Sequence, residues 1–147
     1  MTQDLRRAEP TDAAEIVACI DAAYAPWFAA GLQLPDVSGG VAQDIRENLV
    51  WVIERDDRIA GCLIAVAGDT AWHLMNVAVH PDFTGRGLGK RLIAACVDAS
   101  KQAGAEQLLL ATHADMPANV SLYSRLGWVV TEQTETRIRM SRHLNRG

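Results

Sequence analysis

The sequence is short of several things, and each shortage removes a class of function. It has no basic excess: 14 lysines and arginines against 18 aspartates and glutamates leave a formal charge of −4. A general nucleic-acid binder usually shows the opposite balance, so no nucleic-acid partner is expected. A net acidic chain is compatible with a cationic substrate. Cysteine is scarce: Cys19, Cys62 and Cys96 are widely spaced and odd in number, with no C-x-x-C pair or His/Cys spacing. No metal site is therefore expected, and free buried thiols fit a reducing, cytoplasmic setting. Met1-Thr-Gln-Asp-Leu-Arg6 lacks the apolar core of a secretory leader. No apolar run approaches the roughly 20 residues of a membrane helix, so no membrane partner is expected. Low-complexity linkers and internal repeats are missing too.

What remains is the profile of a soluble globular protein, 49% hydrophobic and 22% charged. At 147 residues it reads as one domain, 1–147, able to bury about two thirds of its unfolded surface. The most informative stretch is 71 to 103. A strand-like run, Ala71-Trp-His-Leu-Met-Asn-Val-Ala-Val-His80, leads into Pro81-Asp-Phe-Thr-Gly-Arg-Gly-Leu-Gly89, and a helical pattern starts at Lys90. Strand, glycine loop and helix start in that order make an anion site. The first helical turn offers unpaired N–H groups at the positive end of the helix dipole. A Walker loop would need Gly at 84 and Ser or Thr at 91, where the chain has Thr84 and Arg91. A Rossmann turn would need Gly at 90, where the chain has Lys90. Taken alone, the glycines could also serve only to turn the chain.

Val77-Ala-Val-His-Pro81 followed by Gly85-Arg-Gly-Leu-Gly89 and Leu92 resembles the GNAT superfamily of acyl-CoA-dependent N-acyltransferases. The family's cofactor loop reads Arg/Gln-x-x-Gly-x-Gly/Ala, here Thr84-Gly-Arg-Gly87-Leu-Gly89; the glycines match and the first position does not. Thr84 lacks a long donor, and Arg86 is the substitute for its charge. A second match is Pro117-Ala-Asn-Val-Ser-Leu-Tyr-Ser-Arg-Leu-Gly-Trp128, similar to the family's helix ending in Leu-Tyr-x-x-Leu-Gly-aromatic. The resemblance covers nearly the whole chain and is weakest over 24 to 48. It implies acetyl-CoA as cosubstrate, held by Val77, Ala78, Val79, Thr84, Gly85, Arg86, Gly87, Leu88, Gly89 and Lys90.

Periodicity and turn signals suggest the remaining elements. A short strand spans 4 to 8. A helix capped by Thr11 carries Ile16, Val17, Ile20 and Ala23 on one face and ends near Pro26. Residues 27 to 40 read as irregular, and a short helix follows at about 41 to 48. Leu49–Ile53 and Ile59–Val66 form a hairpin around Arg55-Asp-Asp-Arg58. Gly104 stops the long helix. Gln107–Thr112 reads as a strand buried on both faces. A helix at 117 to 125 ends at Gly127, before strands at 128 to 131 and 135 to 140. The order β-α-α-β-β-β-α-β-α-β-β gives an α/β, mixed-sheet class. The resemblance implies a GNAT-type fold whose central parallel strands, 71–80 and 107–112, splay apart around the pantetheine arm.

Acetylating an amine requires a lost amine proton, a donor to the developing oxyanion and help for the leaving thiolate. The resemblance assigns backbone N–H groups near Val77 to the oxyanion, and Tyr123 to the sulfur as acid; the plainer reading of Tyr123 is a half-buried helix tyrosine. Family members carry an Asn seven residues before that tyrosine, where this chain has Met116. Asn119, one turn before Tyr123, stands in for it or is a surface amide. His73, four residues before Val77 and expected on the same strand face, is either the general base or a core-edge histidine. His80, His113 and His143 show no partner spacing. Tyr24, Trp27 and Phe28 lie where the family builds its acceptor site, or simply pack a helix. Asp36 or Asp44 could meet an ammonium. The expected function is N-acetylation of a small-molecule primary amine by direct attack in a ternary complex, since no cysteine belongs to a motif. The alternatives are a protein Nα- or lysine acetyltransferase and a non-catalytic CoA-binding module. Homodimer formation is left open.

Overall fold

The computed structural model describes residues 4–31 and 39–144. Its elements are β1 (Leu5–Arg7), α1 (Ala13–Ala29), α2 (Val41–Glu47), β2 (Leu49–Arg55), β3 (Arg58–Val66), β4 (Ala71–Val79), α3 (Leu88–Gln102), β5 (Gln107–His113), α4 (Pro117–Arg125), β6 (Val129–Gln133) and β7 (Arg137–His143). The element order is the expected one. Seven strands form one mixed sheet in the order β1-β2-β3-β4-β5-β7-β6. β4 and β5 pair in parallel, joined by the α3 crossover, and the other neighbours are antiparallel.

Two apolar layers sandwich the sheet. On one face α1 and α2 bring Ile16, Cys19, Ile20 and Val41 against Val50, Val52, Cys62 and Ala78. On the other, α3 and α4 bring Leu88, Leu92, Cys96 and Tyr123 against Leu63, Trp72, Leu74 and Leu110. The spacing of Leu88, Leu92 and Cys96 puts one helical stripe on the sheet. The β2–β3 turn uses Asp56 and Asp57 at φ 53° and 61°, the left-handed pair a two-residue hairpin needs and aspartate tolerates.

Several boundaries differ from the sequence reading. Thr11 is not the cap of α1. A 3-10 turn over Pro10–Asp12 precedes the helix. Asp12 accepts the Glu9 N–H (2.7 Å) and an Arg6 guanidinium bond (2.8 Å). Pro26 does not end α1, because it removes only one rung near the C-terminus and Ala30 N–H closes the last turn on the Pro26 carbonyl at 3.1 Å. α3 begins at Leu88 rather than Lys90, directly after Gly87. β5 is buried on one face only. Leu108 and Leu110 face α3 and α4, while Ala111 is exposed, since α1 packs chiefly over β3 and β4.

Candidate active site

β4 and β5 part company almost at once. Their ladder runs from Ala71↔Gln107 to His73↔Leu109, and no register pair joins them beyond it. β4 continues to Val79 and β5 to His113, so a gap opens between the two strands.

A β-bulge decides what faces that gap. Against β3, Ile64 pairs with Asn76 and Ala65 with Leu74, leaving Met75 as the extra residue. Side chains alternate along a strand, and one extra residue reverses the parity. Trp72 and Leu74 therefore join the α3 layer, whereas beyond the bulge it is Val77 and Val79 that pack there and Ala78 that faces α1. This corrects the expectation that His73 and Val77 share a face. His73 alternates with Trp72 and Leu74, is exposed, and points to the α1 side. Backbone direction follows the same parity. His80 N–H bonds the Ala60 carbonyl at 2.8 Å, so Asn76 and Ala78 direct their backbone to β3, while Val77 and Val79 turn theirs to the gap. Ala78 is thus a core residue paired to Cys62, not a lining residue.

Tyr123 is held at the gap by the end of its helix. Gly127, at φ 95°, donates its N–H to the Ser124 carbonyl (3.2 Å), and Trp128 N–H reaches the Tyr123 carbonyl (3.0 Å). This is a Schellman closure, and its usual apolar contact is made by the Tyr123 and Trp128 rings, edge to face at 5.5 Å. The Leu-Tyr-x-x-Leu-Gly-Trp pattern is therefore a physical unit that fixes the tyrosine. Tyr123 is buried, and it lines a pocket shared with Tyr24, Asn76, Val77, Thr112 and Asn119. Burial, with Tyr24 and Cys96 nearby, raises its pKa well above that of a free phenol. Tyr24, on α1, stands on the other side and donates its hydroxyl to Asn76 Oδ1 at 3.2 Å; burial raises its pKa as well. Asn119 donates to Thr112 Oγ1 at 3.2 Å beside Met116, which is buried.

The glycine loop closes one end of α3. Gly85 and Gly87 have φ of 80° and 75°, and a Cβ on either would project into open space. Gly87 gives α3 no side-chain cap, so the first-turn N–H groups stay available. Arg86 lies over the Phe83 ring at 5.3 Å, with Arg58 on the same ring at 5.0 Å. Lys90 is exposed, and Arg91 is bound to Asp4 at 2.9 and 3.0 Å. Thr84 turns its hydroxyl back to the Pro81 carbonyl (3.2 Å). The Leu88 side chain is core, so only its backbone faces the loop. A Cβ on Gly89 would meet Val79 at 3.7 Å, an ordinary contact. Open space ahead of an uncapped helix fits a phosphate-bearing cosubstrate. Among the described residues no His/Cys/Asp/Glu cluster could hold a metal.

The profile described as the acetyltransferase (GNAT) family matches residues 16–128. The chain belongs to this family. Its relatives include an L-amino acid N-acyltransferase from Escherichia coli (strain K12), 34% identical over 58 residues, 40% of this chain and 34% of that protein. Another is the [ribosomal protein bS18]-alanine N-acetyltransferase of Salmonella typhimurium, 37% identical over 73 residues, 50% of this chain and 49% of that protein. The chain thus spans half or less of the length of these curated relatives. In fold it is similar to a PaiA N-acetyltransferase from Thermoplasma acidophilum solved with coenzyme A, with TM-score 0.83 at 16% identity, covering 97% of this chain and 99% of that one.

Within this GNAT chain, several expected residues fall outside the pocket lining. Trp27 is half-buried and Phe28 is 45% exposed, both near the end of α1. Asp44 is bonded to Asn48 Nδ2 at 2.9 Å on α2. Asp36 lies outside the described residues. His80 and His113 each use Nδ1 to accept a turn N–H, from Asp82 (3.1 Å) and Asp115 (3.0 Å). Asn76 and Thr112 were not anticipated. Neither sits in a motif, and both reach the pocket through strand pairing that no local signal reports.

Proposed function

We propose that the chain is an N-acetyltransferase that moves an acetyl group from acetyl-CoA to the primary amine of a small molecule, by direct attack within a ternary complex. The observation that carries this reading is the unzipped β4–β5 gap. Tyr123 flanks it from α4, Tyr24 and Asn76 flank it from the α1 side, and the glycine loop stands at the start of α3. The first-turn N–H groups of α3 and the backbones of Gly85 and Gly87 would hold the pyrophosphate, with Arg86 adding charge. Val77 and Val79 would align the pantetheine arm through their gap-facing backbone, and Val77 N–H would orient the thioester carbonyl. Bound acetyl-CoA supplies the activated acyl group. The hydroxyl of Tyr123 would hold a proton for the departing sulfur. All three cysteines are buried and none lines the pocket, which favours direct attack over a covalent enzyme intermediate.

His73 would take the amine's proton only through water. It is exposed on the α1 side, four residues from Val77, roughly 13 Å along a strand at about 3.3 Å per residue. A thiol-release assay with acetyl-CoA across polyamines, aromatic amines, amino acids, aminoglycosides and peptides tests the function. A second reading, a protein N-terminus as acceptor, is favoured by likeness to the ribosomal-protein-alanine acetyltransferase, and the peptide arm decides it. Coenzyme A binding without thiol release from any acceptor would leave a non-catalytic module.

A further inference from the structure

The α1-side surface of β5 and β7 differs in charge from the rest of the molecule. Ile138 and Met140 point into the α3 layer, so Arg137 and Arg139 point the other way. Both are exposed. In register, Arg139 pairs with Ala111 and Arg137 with His113. Paired residues of an antiparallel ladder project from the same face, and Ala111 lines the pocket between β4 and β5. Arg139 therefore stands one strand spacing, about 4.8 Å, from the edge of the gap. The ion pairs of the described arginines involve Arg6, Arg55, Arg58 and Arg91, so neither Arg137 nor Arg139 is neutralised by one. Glu132 is the register partner of Arg139 on β6, yet it forms no ion pair with it. In a chain of net charge −4, this cationic pair beside the pocket is out of keeping with the whole.

We infer that Arg139, supported by Arg137, binds a carboxylate of the acceptor, so the substrate is an amine that also carries a carboxylate, as an amino acid does. The inference rests on the acetyltransferase reading and names its acceptor class. A guanidinium matches a carboxylate with two parallel N–H donors, which a lysine cannot reproduce. The exposed arginines also meet an incoming acceptor on the side where Tyr24 and Asn76 flank the gap, opposite the α4 side that carries Tyr123. The carboxylate then orients the molecule with its amine toward Val77.

The test uses matched pairs, each an apolar or ω-amino acid and its carboxamide, with acetyl-CoA and thiol release as readout. For the best pair the wild type should favour the acid by at least about tenfold in kcat/KM. Arg139→Gln should collapse that ratio about tenfold or more, through KM for the acid. Arg139→Lys should keep part of the preference, and Arg139→Glu should reverse it. The two members differ in amine basicity, but that difference is the same in every variant and cancels when ratios are compared. Calorimetry of the CoA-loaded protein with the N-acetylated acid and amide gives the same ratio without turnover. The inference is overturned if no pair favours the acid, if neither Arg139→Gln nor Arg137→Gln changes the ratio, or if neither ligand binds. Turnover of plain amines without acid preference rejects the carboxylate site and leaves the acetyltransferase reading. Absence of both thiol release and coenzyme A binding rejects the two together.

Discussion

Replacing Tyr123 with phenylalanine isolates one hydroxyl. The ring keeps its edge contact with Trp128, and the Schellman closure at Gly127 uses backbone atoms only. The size of the effect follows from the chemistry at the sulfur. A free phenol near pKa 10 is about 1.5 units weaker than a thiol near 8.5, so full transfer to a thiolate is uphill by roughly 2 kcal/mol. Burial of Tyr123 widens that difference. The hydroxyl therefore stabilises the departing sulfur chiefly as a charge-assisted hydrogen bond, worth about 1.5–3 kcal/mol. At 1.36 kcal/mol per decade, Tyr123→Phe should lower kcat roughly 10- to 150-fold, with KM for acetyl-CoA little changed. Thermal stability should stay within a few degrees. Tyr123→Ala, which also loses the ring, should cost about 3–5 kcal/mol, or roughly 2–4 °C per kcal/mol. Because its pKa is raised, Tyr123 stays protonated to at least pH 10 and adds no descending limb to the wild-type profile below that pH. Thiol release at saturating acceptor, pre-steady-state and steady-state, from pH 7 to 10, measures these quantities. A kcat within twofold of wild type, with chemistry shown to limit turnover, would reduce Tyr123 to a packing residue.

Gly87→Val places a branched residue at φ 75° and projects atoms into the open space ahead of α3, so coenzyme A binding by calorimetry should vanish while circular dichroism shows a folded chain. Arg86→Ala should weaken binding less, if the backbone dominates. His73→Gln should lower kcat/KM about 10- to 100-fold; an unchanged rate with two acceptors of different basicity moves the base elsewhere. Burial pushes the Cys96 thiol up to about 12. Stability tied to it is complete below the unfolded thiol's pKa, near 8.5, and is lost as pH rises towards 12. Melting temperature should therefore fall between pH 9 and 10.5, and Cys96→Val should make that fall shallower; equal slopes would exclude Cys96.

Motifs carried by consecutive residues were legible in the sequence. The glycine loop announced the start of α3, off by two residues because the helix begins at Leu88, directly after its N-cap Gly87. Leu-Tyr-x-x-Leu-Gly-Trp announced α4, since its hydrogen bonds and ring contact lie within six residues. The α1 limits were misread because Asp12 and Pro26 act through neighbours that periodicity ignores. Beyond the β2–β3 hairpin and the parallel step across α3, which the sequence did announce, strand pairing stayed hidden. The reach of α1 across the sheet decides that β5 is buried on one face only. Arg139 becomes a neighbour of the gap only once β7 inserts between β5 and β6. The orientation of His73 depended on Met75, whose extra place in β4 shows only against β3.

That single residue works like an inserted letter in a reading frame. Upstream of Met75, even-numbered positions of β4 speak to the α3 layer; downstream, odd-numbered ones do. Deleting Met75 would set Leu74 directly beside Asn76, as their partners Ala65 and Ile64 already stand on β3, so the later residues would keep their faces and only the bulge would vanish. Pairing the intact strand without a bulge is the change that would reverse every later address. Asn76 and Ala78 would then be delivered to the α3 layer, and Val77 and Val79 to the α1 side with their backbone turned from the gap to β3. The place set aside for an unpaired residue, and not the side chain that fills it, is what lets one strand be read in two frames.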